Sequence, residues 1–269
     1  MPLEPIADDL LSAVCASPRA VAARDRTAWT ELFGPDAAVH DPVGSRPHVG
    51  RIAIGRFYDT FIGPNTIVFE VRRDIVADRT VLRDLSVATT MSTGATVRVP
   101  MHLRYELAEV GGDWKIARLA AHWELAPMIV QLLRTGWAGI GAATKLGPQL
   151  IANQGLGGVL GMTRALFGVG GAGKRAVEAL FTAATRGAVA DMRVLLDDRA
   201  VLELPSGNPV PVAEFAEGVR DMRWEKLIAA GRTVTASVAL GRAHGIAVVD
   251  FARDRRVIVG VTVYLDTAP

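Results

Sequence analysis

From residue 66 to residue 124 the chain carries four strand-length runs, 66–77, 80–91, 95–109 and 113–124. Only turn formers separate them: Asp78-Arg79, Gly94 and Gly111-Gly112-Asp113. Connections this short join antiparallel neighbours, so the four runs predict a meander. Such a sheet buries one face, and the apolar layer that covers it must come from elsewhere in the chain. That layer precedes the meander. Residues 4–15 and 20–33 have helical patterning with Pro18 as the expected break, and 50–62 read as a helix ending near Gly63-Pro64. A short apolar strand, Ala37–His40, lies between the turn signals Pro35-Asp36 and Asp41-Pro42-Val43-Gly44. The expected class is α+β, with helices on one face of a curved sheet.

Residues 174–269 repeat this order. Runs 174–186, 189–196 and 211–222 read as helices, Ala200–Leu204 as a short strand, and 224–266 as strands closing with Val257–Leu265. Glu203 falls where Asp41 falls in the first half. The expected architecture is therefore two cone-shaped, curved antiparallel sheets with packed helices, residues 1–125 and 174–269, joined by residues 126–173. The joining segment holds 12 glycines in 48 residues and helix-length runs such as Met128–Ile140. It is too long for an ordinary loop.

Half of the 269 residues are hydrophobic, enough for substantial cores. The single cysteine, Cys15, excludes an internal disulfide. The first residues carry acids where a signal peptide carries positive charge, so a cytoplasmic location is expected. The net charge of +2 is unevenly placed. Residues 126–175 hold five basic groups and no acid, while residues 1–125 sum to −2 and 176–269 to −1. No basic stripe with interleaved aromatics exists, which argues against nucleic acid. Two readings of 126–175 stand: a helical hairpin packed between the domains or lidding a pocket, and a basic apolar pair lying on a membrane surface. Its longest uncharged run, Leu146–Thr163, contains Pro148, Gln149, Asn153 and Gln154, and makes a poor membrane span.

Several motifs fail on context. Gly168 to Gly173 fits GxGxxG, but a phosphate loop needs a preceding strand, and 161–167 read as helix. The five histidines show no i, i+4 pair, so no metal is expected, His40 and His48 beside Asp41 included. No GxSxG exists, and Cys15 has no activating basic neighbour in sequence.

The informative stretch is Asp36-Ala37-Ala38-Val39-His40-Asp41-Pro42-Val43-Gly44-Ser45-Arg46-Pro47-His48-Val49-Gly50, continuing to Ala53-Ile54 and Phe57-Tyr58. It resembles the bacterial ketosteroid isomerases of the nuclear-transport-factor-2-like cone fold, over about residues 20–125. The resemblance implies a general base at Asp41, which moves a proton between carbons of an apolar substrate. It also implies an oxyanion hole of a tyrosine and a protonated aspartate. Those two donors do not carry over. The tyrosine position falls near Ser17, and the aspartate position on Met101, or on His102 with a one-residue shift. His102, Tyr58 and Tyr105 are the candidates to replace them.

Glu70 is a second candidate carboxylate. On run 66–77, Val68, Glu70 and Arg72 share one face and Ile67, Phe69 and Val71 the other. Facing inward, Glu70 would make an acid/base couple with Asp41, as in epoxide hydrolase/cyclases of the same fold. Trp123, Met101, Phe57 and Tyr105 are the expected substrate-binding side chains, and His122 lies beside Trp123. The expected function is cofactor-free isomerisation-type proton transfer on a steroid-like or polyketide-like molecule. The alternatives are a non-catalytic hydrophobic-ligand or assembly module, and epoxide chemistry using Asp41 with Glu70. The expected partner is an apolar small molecule, with self-association or pairing of the two domains as a further expectation.

Overall fold

The computed structural model describes residues 4–134, 168–205, 207–253 and 257–266. The chain divides into two compact units, Met1–Leu166 and Phe167–Pro269.

The first unit opens with one continuous helix, α1 (Glu4–Ala22), with Pro18 inside it rather than breaking it. A proline in a helix interior costs about 3 kcal/mol. Leu10 and Val14 on this helix are fully buried, with Ala20 and Val21 nearly so. Burying side chains of this size, at ~1.5–3 kcal/mol for each large one, outweighs the missing hydrogen bond. Asp25 caps α2 (Arg26–Glu31), its Oδ1 accepting from the Ala28 N–H at 2.8 Å. Then come β1 (Phe33–His40), β2 (His48–Val49) and α3 (Gly50–Phe57), the last widening into a π turn over Tyr58–Ile62. The meander follows as β3 (Thr66–Ala77), β4 (Thr80–Thr90), β5 (Thr96–Val110) and β6 (Asp113–His122).

The sheet order is β2-β1-β6-β5-β4-β3. The four meander strands pair antiparallel as expected, but β1 joins β6 in parallel. A parallel pair needs a long crossover, and the whole of α3 and the meander supplies it. On β5, Val97, Val99, Met101, Leu103 and Tyr105 are buried toward the helices, while Arg98 and Pro100 face away. α4 (Leu125–Arg134) then crosses β5. Leu132 packs on Ala95 and Val97, and the Gln131 amide bonds both the Arg98 N–H and the Arg98 carbonyl. Residues 135–167, most of the expected connector, lie outside the described residues.

The second unit runs α5 (Gly170–Thr185), α6 (Val189–Leu195), β7 (Leu196–Glu203), α7 (Val212–Gly218), β8 (Arg223–Ala230), β9 (Thr233–Leu240), β10 (Ala243–Phe251) and β11 (Ile258–Leu265). Its sheet order, β7-β11-β10-β9-β8, has the first strand parallel to the last, as β1 is to β6. The glycines near 170 serve packing. A Cβ on Gly168 would lie 2.2 Å from the Gly231 carbonyl oxygen, and one on Gly173 would lie 2.5 Å from Val169 Cγ2. Among the described residues, no helix is long and apolar enough to cross a membrane.

The second core is built around Val177, Leu180, Phe181 and Phe215, all without solvent exposure, with the Trp224 ring edge-on to Phe181 at 5.5 Å. Phe181→Ala is expected to cost about 3–5 kcal/mol of stability, read by urea unfolding.

Candidate active site

β1 runs out at His40 beside Ala120 of β6, and the Val43 N–H donates to the Ala121 carbonyl at 2.9 Å. The Asp41-Pro42 turn is thereby pinned against the last residues of β6. Trp123 follows directly, and its Nε1–H donates to Asp41 Oδ1 at 2.6 Å. Asp41 Oδ2 has no hydrogen-bond partner among the described residues.

Both side chains line a cavity of about 180 Å³ between the sheet and the helices. Its walls are apolar and aromatic: Trp29, Phe57, Phe61 and Phe69 join the inward side chains of β5, with Val87 from β4 and Leu119 from β6. Met128 of α4 adds a further wall. Among the described residues, Asp41 is the one carboxylate that lines the cavity, and no Lys, Arg or His lines it. The surface Asp41 retains opens into this cavity. Burial pushes its carboxyl up to about 6 from its ordinary 3.8, and the Trp123 hydrogen bond pulls the other way. The group is thus a base poised near neutrality in a place that favours apolar ligands.

The structure sorts the other candidates by strand alternation and helix face. Met101, Phe57, Tyr105 and Trp123 line the cavity with Asp41. His102 does not. It stands on the opposite side of β5, nearly fully buried, with Nε2 3.8 Å from Asp84 Oδ1 and with His122 as its cross-strand neighbour. Burial, followed by the neighbouring His102 and Arg104, lowers the His122 pKa to about 3. Glu70 also faces outward, paired with Arg98, while its neighbours Ile67 and Phe69 face the cavity. The expected Asp41–Glu70 couple is therefore not formed. Tyr58 is buried against Trp29, ring centroids 5.5 Å apart, outside the cavity lining and with no partner for its hydroxyl among the described residues. In the second unit, Glu203 Oε2 accepts from Thr262 Oγ1 at 2.9 Å.

Two lining residues were missed as members of one arrangement. Ser17 of α1 accepts a hydrogen bond from Trp29 Nε1 at 3.0 Å, and both side chains line the cavity with Tyr105. Burial pushes that phenol up to about 12, against a smaller lowering by Arg83 and Ser17. His40 and His48 do not converge on Asp41. The His48 ring packs on Phe57 at 5.0 Å, and no group of three or more His, Cys, Asp or Glu among the described residues could hold a metal ion.

The Asp41 carboxyl also sets a pH dependence of stability. Folding raises it from 3.8 to about 6, so between those values the native state keeps a proton the unfolded chain has released. Its contribution is greatest below the unfolded value and declines as pH rises through about 6, by up to ~3 kcal/mol. Asp41→Asn keeps the acceptor for Trp123 and removes the charge. The variant is expected to match the wild type in urea unfolding at about pH 4 and to exceed it by up to ~3 kcal/mol at about pH 8.

Residues 14–119 match the family model described as "SnoaL-like domain". No curated protein matches the chain. Among solved structures, the chain is similar to the Δ5-3-ketosteroid isomerase from Mycobacterium sp., at 26% identity over 44% of this chain and 95% of that one, with a TM-score of 0.41. It is similar to a Mycobacterium tuberculosis protein solved in complex with estradiol-17β-hemisuccinate, at 24% identity over 44% of this chain and 95% of that one, TM-score 0.41. It is also similar to an M. tuberculosis LEH-like epoxide hydrolase, at 18% identity over 52% and 98% of the two chains, TM-score 0.42. The first unit, with its helices laid over a curved six-stranded sheet, carries a SnoaL-like domain of the nuclear-transport-factor-2-like fold.

Proposed function

We propose that the first unit performs cofactor-free proton transfer on a neutral, hydrophobic small molecule, steroid-like or polyketide-like, with Asp41 as the general base. The observation that carries this reading is a lone carboxylate in an apolar cavity, raised to about 6 and held by Trp123. The carboxylate takes a proton from a carbon next to a carbonyl. The C–H electron pair forms a new C=C bond, and the carbonyl π pair moves onto oxygen. The same carboxyl then returns the proton to the far carbon of the substrate's own C=C: the oxygen pair re-forms the carbonyl, the new C=C pair shifts one bond along into conjugation with it, and the original C=C pair makes the C–H bond. Apolar walls exclude water that would compete for that proton. Both the DPVGS turn around Asp41 and the SnoaL-like match support this chemistry.

Epoxide opening by a carboxylate couple is not carried forward, because Glu70 points away from the cavity. A second reading, a non-catalytic binding module, is favoured by Ser17 and Met101, which stand where the resemblance implies oxyanion donors. The second unit shares the strand order of the first, and we read it as a degenerate copy.

A Δ5-3-ketosteroid is the first probe, with conjugated enone formation followed by absorbance. Asp41→Asn is expected to lower turnover by ~10²–10⁴. The wild-type kcat/KM is expected to rise with pH through about 6, as the base ionises. Equal turnover in wild type and Asp41→Asn contradicts the role of Asp41. Tight binding of the steroid with no turnover in either moves the assignment to the binding module.

A further inference from the structure

We propose that the outward face of α4 docks on an anionic lipid surface and sets one wall of the Asp41 cavity against it. α4 is ten residues long and apolar on both sides. Leu125 and Leu132 are buried and Met128 lines the cavity, so these three define the inward face. At about 3.6 residues per turn, Ile129, Val130 and Leu133 fall on the other side. They are 36%, 47% and 57% exposed. A helix on a protein surface ordinarily turns charged and polar side chains outward. α4 turns these three apolar side chains outward instead, with Arg134 as its single charge. Its one amide side chain, Gln131, is engaged by β5: it donates to the Arg98 carbonyl at 3.2 Å and accepts from the Arg98 N–H. The helix is thus fixed to the sheet through its inward side.

Charge selects the occupant of the outward face. α4 opens the stretch 126–175, which carries five basic groups and no acid, whereas the parts of the chain on either side sum to −2 and −1. Glu70 pairs with Arg98, the residue to which Gln131 is bonded, and is neutralised there. Glu124 stands just before α4, at the end of the helix away from Arg134. Exposed apolar side chains at the head of a basic stretch fit a bilayer with anionic headgroups. The apolar groups enter the acyl boundary, and the cations meet the headgroups. A ten-residue helix rises about 15 Å, half the thickness of the hydrocarbon layer, so α4 lies in the plane of the interface and does not cross it. Leu132 packs on Ala95 and Val97, and Val97 lines the cavity with Met128. Docking therefore brings the cavity within one helix of the phase in which an apolar ligand dissolves. That consequence rests on the cavity taking an apolar ligand, whereas the docking itself does not depend on Asp41 acting as a base.

The test is flotation of the whole chain with phosphatidylcholine vesicles, with and without phosphatidylglycerol. The wild type is expected to float with the anionic vesicles, and less so at high salt. Val130→Gln with Leu133→Gln changes two exposed positions and is expected to weaken binding to those vesicles by roughly tenfold or more. A second readout reports on α4 itself. Leu133→Cys in a Cys15→Ser background carries an environment-sensitive nitrobenzoxadiazole label. Its emission is expected to move to the blue on anionic vesicles and to stay unchanged on neutral ones. Neither readout needs a substrate, and Asp41→Asn is expected to float as the wild type does, so failure of docking and failure of Asp41 as a base are read separately. No flotation, equal flotation with neutral vesicles, or undiminished flotation of the double variant overturns the proposal. So does a label already blue-shifted before vesicles are added, which would mean that the face is covered by the chain itself or by a second copy.

Discussion

A carboxylate facing an apolar cavity is unstable in its charged form, and a single indole N–H is what holds this one in place. The Trp123–Asp41 hydrogen bond depends on two strands meeting in a fixed register. β1 must run parallel to β6 for the Asp41 turn to reach the end of β6, and the Val43 N–H locks that approach onto the Ala121 carbonyl. The parallel pairing in turn requires the whole meander to act as a crossover. The rest of the unit serves this geometry: helices cover the sheet, aromatic rings line the cavity, and Met128 of α4 adds a wall.

The site illustrates a tension between stability and chemistry. A cavity forgoes the packing that a filled core would provide, and a buried charge with one hydrogen bond is costly. The second unit, with the same strand order, places Phe181, Phe215 and Trp224 in its core, and its Glu203 is bonded to Thr262. The polar groups of the first unit divide between the two faces of one sheet. Asp41 and Tyr105 face the cavity, while Asp84, His102 and His122 are buried on the other side. That separation leaves no cationic side chain among the described lining residues, and burial is what raises the Asp41 carboxyl.

Much of this was legible in the residues. The four meander strands stood out because alternation and glycine turns are local signals, and the β4–β5 turn at Gly94 and the β5–β6 turn at Gly111-Gly112 fell as read. Pro18 misled because its effect is also local, whereas the burial of Leu10 and Val14 that holds α1 together is tertiary. The period of two placed Met101, Leu103 and Tyr105 on one face and His102 on the other, so the outward position of His102 was readable in principle. Glu70 was harder. Alternation set it opposite Phe69 but could not say which face of a half-polar strand meets the helices. The Trp29–Ser17 hydrogen bond beside Tyr105 in one cavity was out of reach, because these residues are separated in sequence and meet only when α1, α2 and β5 pack.

The most direct measurement is the titration of the Asp41 carboxyl carbon by ¹³C NMR, in the wild type and in Trp123→Phe. The account predicts a midpoint near about 6 in the wild type and a higher one in the variant, where burial acts without the indole hydrogen bond. A wild-type midpoint near the ordinary carboxylate value, unmoved by Trp123→Phe, would contradict it.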